Sequence, residues 1–250
     1  MNSNHNNFYS GTSGLVLPVP KSQYPPVFQG KSRLTYFAFL FNSVEINSSF
    51  YKLPKVSTVT KWAESVPGNF QFTFKLSKTI THAKALHFNE GDVELFMQTV
   101  NIVGNKKGCL LIQFPPSLEV EKFDQLQNLL KTIKHSDSNN SWKVAIEFRN
   151  TSWYNDEVYN LLDQYNASLV IHDIPASATP LTAPATSFKY LRFHGPEPRY
   201  RGSYDDTSLH QYAKYIKAWL REEKTVYAYF NNTMGDAVKN LQALNSLIKQ

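Results

Sequence analysis

The chain has 250 residues, of which 42% are hydrophobic and 18% are charged, and this composition excludes an intrinsically disordered protein. The lone Cys109 excludes an intramolecular disulfide, and no segment approaches the roughly 18 apolar residues of a membrane span, so we expect a cytoplasmic protein without a membrane partner. The formal net charge of +6 would attract anions, but the basic residues are scattered and favour a general surface excess over a dedicated nucleic-acid stripe.

Strand-like segments recur along the whole chain. Each alternates apolar and polar residues, which is typical of a strand whose two faces have different surroundings. In chain order they cover residues 8–13, 44–47, 72–75, 110–113, 144–149, 168–173, 191–194 and 226–231.

Segments with helical spacing lie between these strands. They cover residues 32–41, 92–103, 120–133, 155–165, 208–220 and 235–248, together with a segment that opens at residue 57. Asn155 and Ser208 are predicted N-caps, because a short side-chain acceptor can bind the free amides of a first turn. Residues 174–187 contain three prolines, which predicts that the helix after the sixth strand is short or absent.

The alternation of strand and helix predicts an α/β fold with parallel strands, because parallel strands need crossover connections. Eight such units favour a single TIM-like (β/α)8 barrel over residues 8–250, with a disordered tail at residues 1–7. The alternative is a doubly wound open sheet. Its buried strands would be nearly continuous apolar runs, and the chain lacks the G-x-G-x-x-G turn that such folds often carry.

Polar side chains occupy the last inward positions of these strands. Catalytic groups of such barrels lie at the C-terminal ends of the strands, so these residues are expected to form one site. They are Glu45, Asn47, Lys75, Gln113, Glu147, Arg149, Arg192, His194 and Asn231.

Chemistry suggests a role for each group. Lys75, Arg149 and Arg192 would hold an anionic group, since guanidinium forks suit carboxylate or phosphate. The candidate acids and bases are Glu45, Glu147 and His194. The amides of Asn47, Gln113, Asn231 and Asn232 would orient a substrate. Two loops, 77–91 with His82 and 195–207 with Arg199 to Tyr204, are expected to cover the mouth.

Two other uses of the same residues remain open. Glu45, Glu147, Asp173 and His194 could ligate a divalent metal, but the nearby cations disfavour it, and we predict no cofactor. The charges could also simply neutralise one another as buried pairs. If the site is functional, Glu147→Gln or Arg192→Ala should abolish ligand binding and leave the melting temperature almost unchanged.

One segment resembles a known family. Residues 41–54, FNSVEINSSFYKLP, are similar to the signature of the YecE-like proteins, the domain of unknown function 72. Further matches in order along the chain are Trp62, Pro67, residues 70–75, 113–115, 147–149, Trp153, Asp173, and residues 192–195 and 229–232. The chain departs from the family at 14–16 and 29–31, where tryptophans are usual.

The resemblance implies a TIM-like barrel in a bacterial-type family with no established reaction. The side-chain chemistry and the resemblance together give two sets of candidates. The catalytic candidates are Glu45, Glu147, Asp173 and His194, and the substrate-binding candidates are Asn47, Lys75, His82, Gln113, Arg149, Arg192, Tyr229 and Asn231. The predicted function is an enzyme of the lyase, isomerase or hydrolase type that acts by acid–base chemistry on a small anionic or polyhydroxylated molecule. The alternatives are a nucleic-acid-binding or processing module and a non-catalytic ligand-binding barrel.

Overall fold

The strands follow one another around a barrel in chain order. The computed structural model describes residues 7–137, 139–180 and 187–250. Its strands are β1 (Phe8–Thr12), β2 (Ser43–Ile46), β3 (Gln71–Lys75), β4 (Lys107–Gln113), β5 (Lys143–Glu147), β6 (Ser168–His172), β7 (Phe188–Phe193) and β8 (Thr225–Phe230). All ladders are parallel, and β8 returns to pair with β1. The predicted (β/α)8 fold is confirmed.

Helices occupy the connections between the strands. They are α1 (Arg33–Leu40), α2 (Ser48–Tyr51), α3 (Val56–Glu64), α4 (Lys78–Thr81), α5 (Glu90–Val100), α6 (Phe123–Ser136), α7 (Asp156–Gln164), α8 (Asp206–Arg221) and α9 (Ala237–Lys249). Short 3₁₀ turns lie at Lys21–Gln23, Pro26–Phe28, Lys84–Leu86, Asn101–Lys106, Val120–Lys122, Thr151–Trp153 and Pro175–Ser177.

Two sequence predictions fall partly outside the described residues. Of the segment after β6, residues 174–180 contain only the 3₁₀ turn Pro175–Ser177, as expected for a short or absent helix, and residues 181–186 lie outside the description. Of the predicted tail at 1–7, residues 1–6 lie outside it as well.

The two predicted N-caps have different outcomes. Asn155 caps α7, because its Oδ1 accepts a hydrogen bond of 3.0 Å from Val158 N. Ser208 as the cap of α8 is wrong: the helix begins at Asp206, and Asp205 Oδ1 accepts from Ser208 N at 2.7 Å. An aspartate is as good a cap as serine, and its charge also interacts favourably with the positive end of the helix dipole.

The pleat of the strands separates two apolar layers. Inside the barrel lie Cys109, Leu111, Ala145, Val170, Phe188, Tyr190, Tyr227 and Tyr229. The alternate residues of the same strands, such as Leu110, Ile112, Ile146 and Phe230, face outward and pack with the helices in a larger core. The inner layer fills the barrel below the strand ends, and the charged side chains of Glu45, Glu147 and Arg192 lie above it.

The seam between β1 and β2 closes the barrel without a regular ladder. Asn42 bridges it, since its Oδ1 accepts from Ser10 N at 2.9 Å and its Nδ2 donates to Phe8 O at 2.8 Å. At the upper end Gly14 N donates to Glu45 O at 2.7 Å. This last contact fixes the backbone of a predicted site residue.

Among the described residues, no helix combines the length and the apolarity needed to cross a membrane.

The seam predicts a specific sensitivity at Gly11. A Cβ at this position would overlap the Ser43 carbonyl oxygen, so Gly11→Ala must push the two strands apart. We expect a loss of about 2 kcal/mol in the free energy of unfolding, measured by urea titration. Gly68→Ala is the matched control, because its Cβ would meet no atom within 4 Å. Equal stability of the two variants would contradict this account of the seam.

Candidate functional site

A buried ion network lies across the mouth of the barrel, with the Arg192 guanidinium at its centre. Arg192 donates to Glu45 through Nη2 at 2.8 Å and Nε at 3.0 Å, and to Glu147 through Nη1 at 3.0 Å. Both carboxylates are completely buried, and Arg192 is 2% exposed. Three charges from β2, β5 and β7 are thus held together away from solvent.

The alternation of the strands explains why these residues meet. Glu45, Glu147 and Arg192 each occupy an inward place near the C-terminal end of a strand, and their outward neighbours Ile46 and Phe193 are in the apolar core. Parallel strands bring these ends to the same rim.

Glu45 has two further partners. Ser13 Oγ and Tyr190 Oη each donate to its carboxylate at 2.6 Å. Burial alone would raise the pKa of Glu45, but the charge of Arg192 and the hydrogen bonds from Arg192, Ser13 and Tyr190 lower it below its ordinary value. The sequence analysis missed Ser13 and Tyr190. The two-residue alternation of side chains along β7 could have indicated Tyr190, which lies two residues before Arg192 and therefore faces the same side.

Glu147 is the second anion of the network. Besides Arg192 it accepts a very short hydrogen bond from Arg149, and His194 Nε2 lies 3.5 Å from its Oε1. Burial raises its pKa, but Arg192 and Arg149 outweigh that effect and hold the pKa well below the ordinary value. In return, the two carboxylates raise the pKa of Arg192 against the opposing effect of burial.

His194 and Asp173 continue the network toward β6. His194 Nε2 lies 3.1 Å from Arg149 Nη2, while its Nδ1 lies 3.1 Å from the Arg192 carbonyl oxygen. Nδ1 can donate to this carbonyl oxygen, which only accepts. Asp173 lies just beyond β6 and accepts from His194 N at 3.0 Å and from the Tyr204 hydroxyl. It therefore positions the loop that carries His194.

Lys75 stands apart from the ion pairs. Its Nζ donates to Gln113 Oε1 at 2.8 Å and lies 4.1 Å from the centroid of the Phe50 ring. In the described part of the chain no carboxylate oxygen lies within 4.0 Å of Nζ, although the residue is only 9% exposed. Gln113 is fixed in turn, because its Nε2 donates to Phe114 O at 2.6 Å.

The other predicted residues lie around or below this mouth. Asn47 and Asn231 are half-buried, and Asn47 Oδ1 accepts weakly from Arg192 Nη2 at 3.5 Å. His82 is exposed, and its ring packs edge-on against Phe50 at 5.0 Å. Tyr229 lies deeper, in the inner apolar layer, where its hydroxyl pairs with Ser43 Oγ at 2.5 Å.

Asn232 is buried, and its side chain is hydrogen-bonded to the loop after β7 and to α9. Its Nδ2 donates to Gly202 O at 3.1 Å and to Asn240 Oδ1 at 3.0 Å. The side chain therefore ties the segment after β7 to α9.

A cavity of about 830 Å³ opens beside the network. Asp173 and His194 form part of its wall. Half of the remaining lining residues are proline or tyrosine from the loops after β6 and β7 and from α8, namely Pro175, Pro196, Pro198, Tyr200, Tyr204 and Tyr212. This volume and a largely apolar wall are typical of small-molecule sites.

Among the residues that the structure describes, no three His, Cys, Asp or Glu side chains are arranged to hold a metal ion. The proposed ligands Glu45 and Glu147 instead each bind Arg192.

Comparisons with known proteins show what the chain resembles. The sequence matches the family described as "Protein of unknown function DUF72" over residues 9–250. It is 27% identical to UPF0759 protein YunF of Bacillus subtilis over 91% of this chain and 90% of that protein. It is also 28% identical to UPF0759 protein YecE of Escherichia coli, over 48% of this chain and 44% of that protein.

A solved structure shows the same fold. The crystal structure of a DUF72 family protein from Enterococcus faecalis superposes with a TM-score of 0.77, at 22% identity, over 98% of this chain and 99% of that chain.

The network predicts that Arg192 is needed for folding, contrary to the expectation from sequence. Arg192→Met leaves the buried Glu45 without a cation and Glu147 with Arg149 alone, so we expect a loss of about 3–5 kcal/mol in the free energy of unfolding at pH 7. The exposed Arg221→Met is the control, with a change within about 0.5 kcal/mol.

The pH dependence of the free energy of unfolding gives a second test of the role of Arg192. Without Arg192 the buried Glu45 has no cation, so burial should raise its pKa; protonation then favours the folded state, and the variant should gain stability from pH 7 to pH 5. In the unmodified protein the pKa values of Glu45 and Glu147 are lowered, so their contribution to stability is present above the ordinary glutamate pKa and is lost as pH falls through the lowered values. Urea titration at both pH values measures the difference. A variant as stable as the control would contradict the structural role.

Proposed function

The chain belongs to the DUF72 family of proteins of unknown function, and from this premise we propose that its barrel mouth binds a small anionic or polyhydroxylated molecule. We further propose that the protein is an enzyme that acts on this molecule by acid–base chemistry. One observation carries the proposal: Lys75 is a buried cation with no carboxylate partner among the described residues. An unpaired buried charge is costly, and an anionic ligand would supply the missing partner.

Arg149 offers a second contact for the same anion. Its Nε and Nη2 are engaged by Glu147 and His194, and no described residue bonds its Nη1. The guanidinium is therefore held in a fixed orientation with one N–H edge free. Its side chain is 13% exposed, which leaves this edge within reach of a ligand.

The half-buried amides would orient the rest of the ligand. Asn47 and Asn231 flank the mouth, and no described side chain bonds the amide of Asn231. Amide groups can donate to and accept from hydroxyl groups, which fits a polyhydroxylated molecule.

The acid–base groups differ in their access to a ligand. Glu45 and Glu147 are completely buried and engaged by cations, so we assign them to positioning Arg192 and Arg149. Asp173, 18% exposed, and His82 present accessible atoms. Partial burial, and then the charges of Lys75 and Arg149, lower the pKa of His82, which favours the unprotonated imidazole that a general base needs.

We place this activity in the cytoplasm. The lone Cys109 is a buried free thiol, which is the usual state of cysteine in a reducing compartment.

Binding of sulfate, whose charge is constant near neutral pH, tests the anion site. Lys75→Gln and Arg149→Met should each weaken sulfate binding by about tenfold or more, because each removes a charged donor. Isothermal titration calorimetry measures the affinity. Lys78→Gln is the matched control, since Lys78 is an exposed lysine whose Nζ also lies near an aromatic ring, 5.7 Å from that of Tyr51. Equal affinity of all four proteins would contradict the proposal.

A second candidate function, nucleic-acid binding, is favoured by one exposed turn. Arg199, Tyr200 and Arg201 are all exposed, and the first two have positive φ values of 64° and 63°. Such strained backbone is frequent at functional sites, and an Arg–Tyr–Arg surface could stack on bases and contact phosphates.

A gel shift with a single-stranded oligonucleotide decides between the two candidates. Under our proposal the protein shows no retention at physiological ionic strength, and the double variant Arg199→Gln, Arg201→Gln behaves identically. Retention that weakens steeply with salt and disappears in the double variant would instead support the nucleic-acid function.

A further inference from the structure

Lys75 differs from the other two cations at the mouth in what surrounds it. Arg192 binds two carboxylates and Arg149 binds one, whereas the Lys75 amine contacts an amide oxygen at 2.8 Å and an aromatic ring at 4.1 Å. These neighbours stabilise an ammonium ion less than a carboxylate would. They can also accommodate a neutral amine, because an amine N–H can still donate to Gln113 Oε1.

Burial and the neighbouring cations also disfavour the ammonium form of Lys75. Burial is the largest effect and Arg192 the next, and with Arg149 they outweigh the opposing influence of Glu147 and Glu45 and lower the pKa of Lys75 to about 8. An ordinary lysine, with a pKa near 10.5, carries almost no free amine at pH 7. Lys75 therefore has a substantial fraction of the nucleophilic form at neutral pH.

We propose that Lys75 is a nucleophile that forms an imine with an aldehyde or ketone bearing a carboxylate or phosphate group, and that the free edge of Arg149 holds this anionic group. This inference rests on the proposed function, since it assigns a substrate class to the same site. It gives Lys75 a covalent role rather than that of a permanent counter-ion.

The reaction needs no partner beyond the carbonyl compound. The lone pair of Nζ attacks the carbonyl carbon and forms a C–N bond, while the C=O π pair moves to the oxygen, which takes up a proton. The nitrogen of this carbinolamine then loses a proton, the hydroxyl group is protonated and leaves as water, and the C=N bond forms. Amine and carbonyl are thus converted to imine and water, with no oxidant or reductant.

His82 is placed to move these protons. Its ring packs against Phe50, the ring over which Lys75 Nζ lies, and the charge of Lys75 contributes to lowering the pKa of His82. His82 Nδ1 is paired with Thr81 Oγ1 at 2.9 Å, which leaves Nε2 available. A water molecule between Nε2 and the carbinolamine would complete the path.

Reductive trapping tests the proposal. The full-length protein is incubated at pH 7 with glyoxylate, a small anionic aldehyde, and sodium cyanoborohydride, and the carboxymethylated lysines are identified by peptide mass spectrometry. We expect Lys75 to be labelled about tenfold or more faster than the exposed Lys78, because it has more free amine. The rate of Lys75 labelling should level off above about pH 8.

Three variants separate the covalent role of Lys75 from a role of its charge alone. Arg149→Met should slow labelling of Lys75 by glyoxylate about tenfold more than labelling by the neutral aldehyde glycolaldehyde, because only glyoxylate carries the anionic group that Arg149 would hold. The effect of Arg149 on the pKa of Lys75 is common to both aldehydes. Lys78→Arg should leave the labelling of Lys75 by either aldehyde unchanged. Lys75→Arg keeps the positive charge and should still bind sulfate.

Some outcomes would overturn the proposal. The nucleophilic role of Lys75 is ruled out if Lys75 is labelled no faster than Lys78. It is also ruled out if the rate of Lys75 labelling rises up to pH 10 in parallel with the rate of Lys78 labelling. If sulfate binding is intact in the same preparation, only the imine is rejected and Lys75 remains an anion-binding cation. If sulfate binding is also absent, the proposed function fails with it.

Discussion

The contact of the Arg192 guanidinium with two buried carboxylates is the constraint on which the mouth of the barrel depends. Removing three charges from water is expensive, and the cost is offset only because hydrogen bonds of 2.8 to 3.0 Å satisfy them together. The partners come from β2, β5 and β7, so the contact also fixes the relative positions of three strand ends. Ser13 and Tyr190 complete the shell of Glu45 and link β1 to it.

This pairing determines which groups are left for chemistry. Glu45 and Glu147 are each paired with Arg192, and all three residues are closed to solvent, so under our proposal they act as the frame of the site. The frame holds Arg149 with one edge free, and burial together with the charge of Arg192 lowers the pKa of Lys75. Under our proposal, the reactive amine of Lys75 and the anion-binding edge of Arg149 both depend on this ion network.

Much of this arrangement could be predicted from the sequence. The period of two placed Glu45, Lys75, Glu147, Arg149 and Arg192 at strand ends on the inner face, since that pattern depends only on local pleating. Which charges pair could not be predicted, because pairing depends on the stagger of non-adjacent strands across the barrel. For the same reason the Gly11 seam and the contact of Tyr190 with Glu45 were not anticipated. The cap at Asp205 was missed because three neighbouring residues are all competent acceptors.

The central claim is that Lys75 is a buried amine without a carboxylate partner. Its titration can be followed directly by NMR of the protein with ¹³C-labelled lysine side chains, and Lys75→Arg assigns the resonance. We predict an inflection near pH 8, well separated from the exposed lysines. An inflection at or above the ordinary lysine value of about 10.4 would show that the amine is stabilised as an ammonium ion, and would contradict the account.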